Sequence, residues 1–139
     1  MRNRFYLSAV LTLFILALAA SDKCLAGSGN RGLIAGTWHR VIDPGEKYIT
    51  SAMVVFSEDG TLWGSSEYQG IDLRMILKGT YQFLADNTVQ INYELTKVYG
   101  SGKSEREQVK LLWYITGLTD REMTIEFLPE RKQKFTYKR

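Results

Sequence analysis

The chain has 139 residues, with 18 Lys and Arg against 15 Asp and Glu, one histidine and one cysteine. That length holds one domain with its own core and is too short for two. The lone cysteine excludes a disulfide framework within the chain, and with the lone histidine it excludes a structural zinc site.

The first 26 residues read as a secretion signal. Arg2 and Arg4 give a positive start, and Phe5 to Ala20 run apolar apart from Ser8 and Thr12. Two processing sites fit the small-x-small rule. Ala17-Leu18-Ala19 puts the cut before Ala20, and Cys24-Leu25-Ala26 puts it before Gly27. The second is favoured, because the flexible run Gly27-Ser28-Gly29-Asn30 would expose the bond. Acylation of Cys24 needs small or apolar residues before it, and Ser21-Asp22-Lys23 stand there instead. The apolar run also falls short of the ~20 residues that span a bilayer. Removing residues 1–26 takes away Arg2, Arg4, Lys23, Asp22 and the cysteine, leaving 15 basic and 14 acidic residues. Such a near-neutral exported domain has no broad polyanion-binding surface. Without disulfides, an apolar core and a closed hydrogen-bond ladder must hold it. The expected organisation is a signal peptide over 1–26, a flexible linker over 27–32 and one domain over 33–139.

Within that domain apolar and polar residues alternate, the period of a half-buried strand. Strands are predicted over 34–41, 48–57, 61–68, 73–84, 88–98, 107–117, 122–128 and 133–138. The clearest inward faces are Met75-Leu77-Gly79-Tyr81-Phe83, Val89-Ile91-Tyr93-Leu95, Val109-Leu111-Trp113-Ile115 and Met123-Ile125-Phe127. Strand 61–68 is ambiguous: either Trp63 and Glu67 or Leu62, Gly64 and Tyr68 point in. Asp43-Pro44-Gly45, Glu58-Asp59-Gly60, Ala85-Asp86-Asn87 and Leu118 to Arg121 suit turns. Gly100-Ser101-Gly102 opens a longer polar connection reaching about Glu107. No segment carries a sustained helical spacing. The fold class is therefore all-β, an eight-stranded antiparallel up-and-down meander. Closure into a barrel removes its edges best, and a two-sheet sandwich is the alternative.

Gly36-Thr37-Trp38 resembles the Gly-x-Trp signature that opens lipocalin barrels, and the rest is similar to short bacterial lipocalin-like domains. Phe56-Ser57-Glu58-Asp59-Gly60-Thr61, Gly79-Thr80-Tyr81, Tyr114 to Met123 and Phe135-Thr136-Tyr137 carry the likeness across about residues 33–138. The resemblance implies a barrel with Trp38 across its closed end and a late arginine, Arg131 or Arg139, stacked over it. It also implies binding of a small apolar molecule. Two departures stand out: no flanking helix follows the eighth strand, and the second family signature is missing between strands six and seven.

Catalytic readings fail on inventory. His39 is the sole histidine, no Gly-x-Ser-x-Gly elbow appears, and strand alternation sends His39 away from Trp38 to the surface. Glu94 and Glu126 lie on outward parities, which argues against a glycosidase pair. Glu58-Asp59-Gly60 and Asp86-Asn87 are turns that lack the ligand series of a calcium loop. The chain is therefore expected not to be an enzyme and to need no metal or cofactor. Arg131-Lys132-Gln133-Lys134 with Lys138-Arg139 forms a basic cluster that protects an edge or meets an anionic surface. Nucleic acid is not an expected partner. The expected role is an exported, periplasmic or extracellular binding protein, with a small apolar ligand among Trp63, Met75, Tyr93 and Trp113. Ala52, Gly79 and Gly64 would leave the room. The alternative is an envelope or secreted interaction module with a filled core. An interior above ~300 Å³ would favour the ligand, and a packed one the protein partner.

Overall fold

The structure is a computed structural model that describes residues 29–139. The signal segment, both cleavage patterns, Cys24 and the start of the linker lie outside the described residues. A short helix α1 (Gly29–Ile34) precedes strands β1 (Gly36–Arg40), β2 (Ile49–Phe56), β3 (Thr61–Tyr68) and β4 (Leu73–Ala85). The chain continues through β5 (Thr88–Tyr99), β6 (Ser104–Leu118), β7 (Glu122–Phe127) and β8 (Lys134–Lys138). Each strand pairs antiparallel with the next, and β8 returns to β1 through His39↔Lys138 and Arg40↔Tyr137. The result is a closed eight-stranded up-and-down barrel.

The strand pattern follows from alternation, and two departures have physical causes. The polar stretch before residue 107 joins β6 rather than forming a loop, because it pairs fully with β5 from Val98↔Ser104 to Leu95↔Glu107. A cross-strand ion pair replaces apolar contacts there, Lys97–Glu107 at 3.2 Å, and Lys103 pairs along its own strand with Glu105 at 2.7 Å beside the turn. Charged residues hide the alternation without breaking the ladder.

The second departure is a short helix that overlaps the stretch expected as a linker over 27–32. Residues 29–34 form α1 and belong to the barrel. Ile34 is completely buried, the Asn30 side chain donates to the Asp86 carbonyl at 2.8 Å, and Trp38 Nε1 donates to the Ile34 carbonyl at 2.7 Å. One buried isoleucine and two hydrogen bonds hold this helix against the barrel end.

α1 sits at the end of the barrel that also carries the β2–β3, β4–β5 and β6–β7 turns. Trp38 lies fully buried across this end. The Arg139 guanidinium stacks over its ring at 4.2 Å and donates to the carbonyls of Leu33 and Ala35 at 2.6 and 2.5 Å. Of the two arginines considered, Arg139 takes the position; Arg131 lies over Tyr114 and pairs with Glu126. Gly36 is required there. Its φ is +129°, and a Cβ would stand 3.2 Å from the Arg139 guanidinium. Phe56, Val89, Ile91, Met123 and Ile125 fill the interior next to Trp38, with Phe56 edge-on to Tyr81 at 4.9 Å.

If α1 is part of the fold, Ile34→Ala should cost about 2–5 kcal/mol in urea-induced unfolding. A change near zero would return the segment to the status of a linker.

Candidate functional site

The other half of the barrel is not filled. A partly enclosed cavity of about 180 Å³ lies toward the end that carries the long β1–β2 loop, and its wall is mainly apolar. Leu62, Leu77, Ile91, Leu111 and Trp113 form the deep wall, and Ile49, Tyr68 and Phe127 stand near the mouth. All five deep residues occupy inward positions of the consecutive strands β3 to β6, which is why the sheet presents a continuous apolar lining.

Of the four residues expected around a ligand, the structure brings two together. Tyr93 and Trp113 line the cavity. Trp63 does not: it points outward and is 44% exposed, between Val55 and Lys78 on the outer face. The inward face of β3 belongs to Leu62 and Gly64, both buried, and a strand with period two cannot also turn Trp63 inward. Met75 stands two residues beyond Leu77 toward the mouth, paired with Ser66 and Lys97, and is not in the wall. The three small residues divide in the same way. Ala52 lines the cavity, whereas Gly64 and Gly79 mark close backbone approach. A Cβ on Gly79 would fall 2.0 Å from the Asn92 carbonyl oxygen, and one on Gly64 2.5 Å from that of Met53.

Ser65, Ser66, Tyr68, Arg40, Tyr93, Trp113 and Tyr137 bring polar atoms to this mainly apolar wall. Arg40 comes from the end of β1 with its side chain only 13% exposed; it pairs with the Glu46 carboxylate and stacks on the Phe135 ring at 4.2 Å. Its Nε, like Trp113 Nε1, is buried with no hydrogen-bond partner among the described residues. Tyr137 stacks on Trp113 at 5.9 Å, and burial pushes its phenol up to about 12 despite the opposing pull of the Arg40 charge. Burial, with a smaller push from Glu107, also raises the Tyr93 phenol above its ordinary value. Arg40 and Tyr137 carried no signal in the sequence as site residues. A charged residue at a strand end reads as a solvated rim, and Tyr137 was legible only as part of the closing strand.

The remaining candidates lie elsewhere. His39 and Glu67 are exposed, and Glu67 stands 3.7 Å from Arg74. No group of three or more His, Cys, Asp or Glu converges among the described residues. The terminal basic cluster is largely paired with acids: Arg131 with Glu126, Lys132 with Glu130 and Lys138 with Glu122. No described helix is long and apolar enough to cross a membrane. In comparisons with known proteins, no family model, no curated protein and no solved structure matches the chain.

The raised Tyr137 phenol links stability to pH. Below the unfolded value of ~10 both states hold the proton, and the contribution of the buried neutral phenol is fully present. It is lost as pH rises from there through the folded value of about 12. Urea midpoints should hold up to about pH 10 and then fall, and Tyr137→Phe should make that fall shallower. An unchanged slope in the variant would contradict this assignment.

Proposed function

We propose that this chain is an exported lipocalin-like binding barrel that holds one small apolar molecule in its half-hollow interior. The observation that carries the reading is the cavity of about 180 Å³ walled by Leu62, Leu77, Ile91, Leu111 and Trp113. An apolar cavity of roughly 150 Å³ takes a benzene molecule, and drug-sized ligands need ~300–1,000 Å³. The occupant is therefore about one ring or a short alkyl chain. The cavity of about 180 Å³ lies below the ~300 Å³ set above for a ligand but is not a packed interior either, so an interaction module is the second reading.

Kinship with lipocalin-like domains draws its support from the closed end. Gly36, Trp38 and Arg139 meet there as that resemblance implies, with the guanidinium over the indole. Export, to the periplasm or the outside, is supported by the positive start and apolar run of residues 1–26 and by a domain that needs no cysteine. A binding role rather than an enzymatic one rests on residue inventory. The sole histidine is exposed on the outer face and is not among the cavity-lining residues.

Titration of the full-length protein with toluene should give a saturable change in tryptophan emission, since Trp113 forms part of the wall. Ala52→Leu, which fills part of the space, should weaken that binding about tenfold, the equivalent of ~1.4 kcal/mol. A response that rises linearly without saturation overturns the cavity reading.

A further inference from the structure

Closure at the β1–β8 seam does not use up every strand edge. β6 pairs with β5 from Val98↔Ser104 to Thr88↔Tyr114, but its pairs with β7 run only from Trp113↔Phe127 to Leu118↔Met123. One further bond, from the Leu128 N–H to the Leu112 carbonyl at 2.9 Å, ends that second ladder. Residues 104–111 therefore stand beyond β7 with a paired neighbour on one side only. At the rise of an antiparallel strand this overhang is ~27 Å long.

The bonds at its base show which groups face outward. The Ile115 N–H donates to the Asn87 carbonyl, on the β5 side, at 2.7 Å, whereas the Leu112 carbonyl serves Leu128 on the β7 side. In an antiparallel ladder successive residues turn their N–H and C=O groups to opposite neighbours. The odd-numbered residues of β6 thus bond β5, and the N–H and C=O of Arg106, Gln108 and Lys110 point away from it. None of these six groups has a protein partner among the described residues. Residues 104–108 and Lys110 are exposed.

Side chains select what can pair there. On the outward parity Lys110 is in no ion pair among the described residues, and Arg106 reaches Glu94 only at 4.0 Å. On the inward parity Glu105 and Glu107 are neutralised by Lys103 and Lys97, while Val109 and Leu111 are half-buried. Two copies aligned about the middle of this edge would oppose Glu107 to Glu107, or Arg106 to Lys110. Like charges directly opposite each other destabilise a sheet. The edge is guarded against its own copy and open to a strand with acids on one face.

We propose that β6 is a docking edge for an extended acidic segment of another protein, added as a further strand beside residues 104–111. Its backbone meets the six free groups. Carboxylates four positions apart face Arg106 and Lys110, and an apolar residue lies opposite Val109. The site is separate from the cavity and stands or falls without it.

The probe is the amidated peptide Val-Asp-Val-Thr-Thr-Asp-Thr with an N-terminal fluorescein, titrated with the full-length protein by anisotropy at neutral pH and low salt. A second peptide carries lysine in place of both aspartates. The acidic peptide should bind saturably and about tenfold tighter than the lysine peptide, the worth of two exposed ion pairs. Gln108→Pro removes an N–H that the barrel does not use, so it should leave the urea midpoint unchanged and abolish peptide binding. Val109→Pro removes an N–H bonded to β5 and should lower the midpoint sharply. An equal fall in Gln108→Pro would overturn the free edge. Saturable binding by neither peptide would overturn the docking role, and equal binding of both would overturn its acidic class. A dimer in sedimentation that Gln108→Pro abolishes would overturn the partner and assign the edge to a second copy of this chain.

Discussion

The structure depends on closing one short seam. Strands β1 and β8 have five residues each, against 13, 12 and 15 for β4, β5 and β6, and they share only two register pairs. Without that pairing the sheet would keep two open edges and an exposed apolar face. One backbone bond extends the seam, from the Val41 N–H to the Thr136 carbonyl at 2.8 Å. Side chains then fasten both ends reciprocally. Arg139, following β8, stacks on Trp38 of β1, and Arg40 of β1 stacks on Phe135 of β8, each at 4.2 Å. Each guanidinium also satisfies a local acceptor: backbone carbonyls of the α1 region in one case and Glu46 in the other. Two cation–aromatic contacts thus fasten the two ends of the seam.

The same closure explains why one half is solid and the other hollow. Trp38, Phe56, Met123 and Ile125 point into the end that α1 seals, and their volumes meet across the axis. Toward the mouth the inward positions pass to Ala52, Ser66 and Leu77, and at Gly64 and Gly79 the backbones themselves come close. A barrel of eight strands has an interior that side chains just fill, so a few small residues on one level decide whether space remains. Arg40 at that level is tolerated because Glu46 and the Phe135 face replace its water.

Much of this was legible in the sequence, and what was not has identifiable causes. Alternation in β4, β5, β6 and β7 located the strands and the inward faces, since apolar period-two runs have few other uses. It therefore identified Tyr93 and Trp113 as wall residues. Trp63 was misplaced because aromatic size was weighed above the parity of Leu62 and Gly64, the buried pair that fixes the register. Met75 had the right parity but too high a level, and height along a barrel depends on the stagger between strands, which no single strand records. α1 was illegible for a different reason. Its order comes from Ile34 and Trp38 docking on the barrel, a tertiary effect that overrides glycine-rich composition.

The unequal strand lengths also govern the route by which the chain assembles. β4, β5 and β6 are joined by tight turns and hold the longest registers, so their contacts are local and cheap in chain entropy. The pairing of His39 with Lys138 instead joins residues from opposite ends of the domain and rewards the chain only after the ribbon has curled. The seam is therefore expected to close last, and until it does the sheet keeps two free margins that can recruit those of another molecule. Dilution, or a chaperone that shields those margins, would favour sealing over clumping.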